Sequence, residues 1–581
     1  MSPQSASPAP AREPDASPAR PSILANLLLA FGAYIASILL VFRDVFRSRF
    51  DLGLGNRGDG LIEISILEHW HAVFAGLARW NRPIYFHPYA DTLGYNDGYL
   101  LSGLIYSFWR LSFDPFLSDT LTAMTFRTIG FAAALWLVRV ALRWHWGTAI
   151  LIATLFTISN NMFVQAGHAQ INSLALLPLL AGFAVLAIRA EGEQRPVARL
   201  YAVLAAMLLG LWLISAFYFA WFSIYFVTVF ALCWLWKTGN YRPQRLRALL
   251  QAHWRTLAAF LTTGLACAIP FVVTYLPKKL ETGGHGFMVS YLVQPIDPVN
   301  VGEQNLLWGW IAQGMRAIVQ AISAPGSKLE KAFLGTEHHS GFPLLLFVLA
   351  CIAVWQLLRQ RSNLTACAFA LAIVVSWAMT LRVWQISPWI LVYHLFPAAS
   401  GVRVVLRYQL FLVLPVLLLV GFHYRDRLSS LWQHRPLLAT GIVALLVAEQ
   451  INFAQPTALS RREQLAAFNA IPAPPAGCSA FYVVTARRGE ARYIDSYMDG
   501  LYPHNVDAMF LAEKWRLPTI NGYSTFNPPD WDFAAPYARD YDARVRRYAE
   551  KHKLQGLCRL DMRSSAPWTR VGGTTPLQPA R

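Results

Sequence analysis

The sequence predicts an all-α polytopic membrane bundle of about eleven transmembrane helices, followed by a small extracytoplasmic α/β domain. Three observations carry that reading. The 581 residues are 55% hydrophobic and only 14% charged, with a mean hydropathy of +0.36, too apolar for a soluble chain of several domains. Apolar runs long enough to cross hydrocarbon recur along the chain. Arginines and lysines collect in alternate short loops between those runs, as they do on the retained side of a membrane protein.

Residues 1–21, rich in Pro, Ala and Ser, cannot build a core and are expected to be a disordered cytoplasmic tail. A transmembrane domain over 22–453 follows. Its first run, Ile23 to Phe42, lacks a small-x-small cleavage site and reads as an uncleaved span. Further runs lie near 120–142, 147–163, 171–188, 200–216, 218–236, 256–276, 342–358, 363–381, 404–422 and 436–453. The basic loops are Arg139 with Arg143; Arg189, Arg195 and Arg199; Lys237, Arg242, Arg245 and Arg247; Arg359 with Arg361; and Arg425, Arg427 and Arg435. Placing them inside puts the amino terminus in the cytoplasm and the carboxyl terminus outside, in the periplasm of a bacterial inner membrane. Arg43, Arg47 and Arg49 oppose the scheme, but a loop of that length obeys the rule weakly. The run Tyr99 to Phe113 is short and holds Arg110, so it is read as a helix lying in the interface.

This leaves two long external loops, 43–119 and 277–341, and an external domain over 454–581. The tail alternates: a strand at Ser479–Thr485, a helix from near Asn505, a strand around Thr519–Gly522, a charged helix at Tyr541–Lys551 and a strand at Leu557–Leu560. Four cysteines sit in apolar runs, where a thiol behaves as a small hydrophobe. Cys478 and Cys558 lie in polar sequence on the side expected to be oxidising, and are the disulfide candidates.

The net charge of +18 is scattered through short segments, which suits anionic lipids or phosphates rather than nucleic acid. Chemistry concentrates in the first external loop. In Gly58-Asp59-Gly60 the flanking glycines allow close backbone approach around one carboxylate, making Asp59 the leading catalytic candidate. Asp97, in Asn96-Asp97-Gly98, is the second acid, suited to a metal or to substrate hydroxyls, and Glu63 is the next. Gly53-x-Gly55-x-x-Gly58 matches a dinucleotide fingerprint but lacks a βαβ unit, and is read as turn chemistry. His69, His71, His87 and Glu337-His338-His339 are read as polar loop residues before metal ligands. Pro503-His504-Asn505, Leu517-Pro518-Thr519-Ile520-Asn521-Gly522-Tyr523-Ser524 and Pro528-Pro529-x-Trp531 are read as domain packing, with a glycan contact as the alternative.

An early loop Asp followed by Trp80-Asn81-Arg82-Pro83, then Gly167-His168-Ala169-Gln170, Leu176-Leu177-Pro178, Glu337 before Gly341, and Phe396-Pro397 leading to Arg403 and Arg407 together resemble the glycosyltransferase-C (GT-C) superfamily. Within it the chain is most similar to bacterial membrane proteins of the YfhO type. The resemblance implies an inverting enzyme that moves a sugar from a polyprenyl-phosphate donor to a glycan, lipid or protein acceptor, with the loop carboxylate as general base. Arg403, Arg407, Arg127, Lys278, Lys279, His168 and Glu337 would then bind substrate. Arg403 and Arg407 are expected one helical turn apart, facing one phosphate. The loop has no Asp-x-Asp or Glu-x-Asp pair, so no cofactor is assigned and a divalent metal ion is left open. The competing readings are a flippase or transporter of lipid-linked saccharides, and a non-catalytic assembly protein. A transporter predicts two repeated halves with interrupted spans, which the sequence does not show.

Overall fold

The computed structural model describes residues 22–323, 335–360, 363–454, 459–484, 497–524, 526–534, 536, 538–562 and 564–571. The expected disordered tail, 1–21, and Thr485 lie outside the described residues. Among the described residues eight helices are long and apolar enough to cross a membrane, and Leu344–Gln360, Leu364–Ala378 and Pro436–Ala448 are shorter apolar helices. These helices cover the apolar runs read from the sequence, and the chain is a polytopic helical membrane protein. The run at 404–422 is the least regular. It opens on a 3₁₀ turn, Val405–Arg407, continues through Tyr408–Phe411, and becomes a long helix only at Val413–His434.

Most of the loop over 43–119, expected to be external, is helical. Residues Asp59–Phe74 form a 16-residue helix, of which Leu61, Ile64, Ile66, Leu67 and Trp70 are buried. Apolar residues occur all round it because it is enclosed on several sides, by helix Leu100–Arg110 and by the tail helix Tyr497–Trp515. Helix Leu100–Arg110 turns Ser102, Gly103 and Tyr106 inward and leaves Leu104 and Phe108 exposed, the two-faced pattern of an interfacial helix.

The tail is a small α/β unit. Strands β3 (Ala480–Val483) and β4 (Leu557–Leu560) pair in parallel, and β5 (Trp568–Arg570) adds antiparallel to β4. The strand expected at Thr519–Gly522 is only an isolated bridge from Thr519 to Phe481. Asn521 turns its side chain inward there: its Oδ1 accepts from the Val483 amide at 2.8 Å and its amide donates to Asn505 at 2.7 Å. Cys478 and Cys558 are joined by a disulfide, their Cα atoms 5.7 Å apart.

The boundary expected at 453/454 does not separate two cores. β1 (Leu52–Gly53) pairs antiparallel with β2 (Leu459–Ser460). The amides of Phe86 and His87 donate to the carbonyls of Asn521 and Thr519 at 2.9 and 2.8 Å. Leu61, Trp70, Phe86 and Tyr95 share one apolar cluster with Phe481, Phe510, Ile520 and Trp568. The first loop and the tail are one body seated at the mouth of the bundle.

Candidate active site

Where that body meets the bundle, a cavity of about 690 Å³ is lined by residues from eight stretches of chain that lie far apart in sequence. Asp59 enters at the first turn of helix Asp59–Phe74, where the Asn56 side chain accepts its backbone N–H at 2.8 Å and the helix dipole favours an anion. Asp97 is brought in by close approach at glycines. A Cβ on Gly94 would stand 2.4 Å from the Thr274 carbonyl oxygen, and one on Gly98 2.3 Å from that of Ile214. Only glycine permits this contact with the helices Val197–Ser215 and Pro243–Thr282.

The centre of the site is a chain of ionised groups. His168 places Nδ1 3.1 Å from Asp59 Oδ2 and Nε2 3.3 Å from Glu337 Oε1. Glu337 in turn accepts from Arg407, Nη2 at 2.7 Å and Nε at 3.3 Å. Carboxylates only accept, so an imidazole with a carboxylate at each nitrogen donates from both and is an imidazolium. Burial and the Arg407 charge work to lower the His168 pKa, but the hydrogen bonds to Asp59 and Glu337 prevail and raise it. Burial works to raise that of Glu337, yet the Arg407 charge and the His168 contact hold it well below the usual carboxylate range.

Asp97 also lines the cavity, with its oxygens accepting from Gln170 at 2.9 Å and from the Phe217 amide at 3.4 Å. Burial raises its pKa despite both contacts. The four lysine and arginine cations at the cavity divide into two kinds. Arg407 is paired with Glu337, and Lys278 donates to Glu281 at 3.0 Å and to the Tyr95 hydroxyl at 3.2 Å. Among the described residues Arg403 and Lys279 have no carboxylate partner. The Arg403 guanidinium lies over the Tyr291 ring at 5.9 Å with its Nε buried and unbonded.

Three expectations are corrected. Glu63 is buried and does not line the cavity; its neighbour Ile62 does. Burial first, then the Asp119 and Asp59 charges, raise its pKa well above the ordinary value. Arg127 is buried away from the cavity and donates to the carbonyls of Thr157 and Met162, both at 3.3 Å, at the end of helix Trp146–Thr157. Arg403 and Arg407 do not share a helix: Arg403 precedes the 3₁₀ turn that carries Arg407, and the two serve different partners.

Sequence reasoning missed Tyr218, Tyr275, His285 and Phe526 in the lining, whereas Tyr523 lies in the tail stretch for which a glycan contact was the alternative reading. Tyr523 and Phe526 come from the tail, and Phe526 packs on His285 with ring centroids 4.6 Å apart. The pairing of Lys278 was readable, since Glu281 sits three residues on. His504, Asn505 and Asn521 are fully buried and pack the tail. His338 Nδ1 lies 2.8 Å from Asp297 Oδ2, and both side chains are buried.

The site does not suit a metal ion. The two nitrogens of His168 point apart, each committed to a carboxylate, so Asp59, His168 and Glu337 do not converge on one point. Among the described residues no group of three His, Cys, Asp or Glu side chains could hold one.

Comparison with protein families gives no match, and comparison with curated proteins gives none. Among solved structures, the chain is similar to the crystal structure of ArnT from Cupriavidus metallidurans bound to undecaprenyl phosphate. The identity is 12%, the match covers 86% of this chain and 85% of that one, and the TM-score is 0.35.

Proposed function

We propose that this protein is a membrane glycosyltransferase of the GT-C type, moving a sugar with inversion from a polyprenyl-phosphate donor to an acceptor on the outer side of a bacterial inner membrane. The observation that carries the reading is the Asp59–His168–Glu337–Arg407 chain facing a cavity that also holds two cations, Arg403 and Lys279, without carboxylate partners among the described residues. Asp59 is the base. It takes the proton of an acceptor hydroxyl as that oxygen bonds to the anomeric carbon, the bond from that carbon to the phosphate oxygen breaks, and the electron pair leaves with the polyprenyl phosphate. Arg403 and Lys279 hold the departing phosphate, because Arg407 and Lys278 are already neutralised by Glu337 and Glu281. His168 fixes Asp59, and Arg407 fixes Glu337 behind it. The donor's hydrocarbon has a way in: Val272 and Leu276 line the cavity and are also exposed on the span Pro243–Thr282.

The test is release of free polyprenyl phosphate when purified protein is incubated with polyprenyl-phosphate sugars and a membrane lipid extract. Asp59→Asn is expected to reduce release by about a hundredfold to ten-thousandfold while leaving the protein inserted and folded. Turnover equal to wild type would remove Asp59 from the reaction.

A further inference from the structure

A second cavity, of about 330 Å³, lies among the helices Trp146–Thr157, Leu344–Gln360, Val413–His434 and Pro436–Ala448. It lies toward the other end of the bundle from the candidate active site: Arg407 precedes the helix Val413–His434, and Arg425, at one end of the cavity, is 12 residues into that helix, roughly 18 Å beyond its start. Its walls are almost wholly apolar, with Leu151, Ile152, Leu349, Leu417 and Ile442 among them. Arg425 and Arg427 also line it. Arg425 is pressed against the rings of Trp144 and Phe422, both at 5.3 Å, and its Nε is buried without a hydrogen-bond partner. The nearest carboxylate, Asp426, is 3.7 Å from that Nε and turned out to solvent, 81% exposed. Arg427 has no carboxylate partner among the described residues and lies over the Tyr424 ring at 5.7 Å.

Hydrocarbon walls ending in two guanidinium groups, one paired only with a solvent-exposed aspartate and the other with no carboxylate partner among the described residues, match one kind of molecule in a membrane. We propose that this cavity binds an anionic phospholipid, one acyl chain between the four helices and the phosphate accepting hydrogen bonds from Arg425 and Arg427. The walls offer almost no polar partners, so neither ordered water nor a small polar metabolite fits there. A free phosphate would use the arginines and leave the apolar space empty. The arginines are the attraction expected toward anionic headgroups, and their forks suit a phosphate. The inference is independent of the proposed transfer reaction.

Native mass spectrometry of the full chain purified in detergent tests it, with phosphatidylglycerol, phosphatidylcholine and glycerol 1-phosphate as probes. Phosphatidylglycerol is expected to stay bound, phosphatidylcholine to bind weakly, and glycerol 1-phosphate, which lacks the chain, not to be retained. R425Q/R427Q should weaken phosphatidylglycerol about thirtyfold, the sum of two surface charges. Leu151→Trp, which fills the cavity and keeps both charges, should also expel the lipid. Should R425Q/R427Q fail to fold, R425K/R427K, which preserves charge, and Leu151→Trp decide the matter. Equal retention of both lipids, wild-type retention in R425Q/R427Q, or retention unchanged by Leu151→Trp would each overturn the proposal.

Discussion

Replacing His168 with Gln tests the ionised chain at its centre. A glutamine amide is neutral and donates from one end only, so it serves one carboxylate and turns a carbonyl oxygen to the other. A hydrogen bond to a charged group is worth about 1.5–3 kcal/mol. The Asp59 end, with a side chain 34% exposed, belongs at the bottom of that range, and the Glu337 end, 18% exposed, higher. We expect a loss of about 2–4 kcal/mol in stability and, with Asp59 unlatched, about a hundredfold in kcat with a smaller change in KM. The pH profile separates this from a merely structural effect. The folded pKa of His168 is raised above its ordinary 6.5. Its contribution is therefore complete below about 6.5 and is lost as pH rises through the raised folded value. Wild type should lose activity and thermal stability on that alkaline limb, and His168→Gln should lack the limb. Measuring kcat, KM and Tm from about pH 5 to 9 covers the window. A variant with wild-type kcat and an unchanged alkaline limb would refute the reasoning.

The two kinds of cation should respond differently. Arg403→Gln and Lys279→Gln are expected to keep the fold and raise the donor KM about tenfold each, whereas Arg407→Gln strands Glu337 and should cost about 3–5 kcal/mol in stability; identical behaviour of Arg403→Gln and Arg407→Gln would cancel the distinction. Replacing Cys478 and Cys558 together with Ala opens a loop of 80 residues and should lower the tail's stability by at most about 4–5 kcal/mol, read as faster proteolysis; two alkylatable thiols at these positions in unreduced protein would remove the disulfide. A phosphatase fused to the carboxyl terminus is expected to be active outside the cell, and activity from a fusion after Arg247 instead would reverse the proposed orientation.

What could be read from the sequence was whatever is local. Spans announce themselves by length and hydropathy, and Tyr541–Lys551 and Leu557–Leu560 by period, since each property is carried by neighbouring residues. Helix Asp59–Phe74 hid because burial on several sides erases the polar stripe that marks a helix. Asp59 was found by its glycine neighbours, but its partner His168 is 109 residues away and Glu337 further still, so no spacing rule could join them. Glu63 misled because a buried acid and a catalytic acid look alike in one dimension; only the cavity tells them apart. Arg127 misled in the same way, being a cation inside a span whose partners are backbone carbonyls that sequence cannot locate.

The strand pair that joins the first loop to the tail also sets a timetable. Asp51 and its hydrogen-bond partner Ser460 are 409 residues apart. At ribosomal rates of 5–20 residues per second, roughly 20–80 s pass between their emergence. During that time Leu61, Trp70, Phe86 and Tyr95 lack the half of their core that the tail supplies. The loop waits, apolar side uppermost, while the later spans insert, and its aromatic residues are exposed to any holdase on that side of the membrane. Phe526, which finishes the cavity wall, is made after every span. The site is thus completed last, so a polypeptide stalled after its final span would be fully inserted and still unable to enclose a substrate.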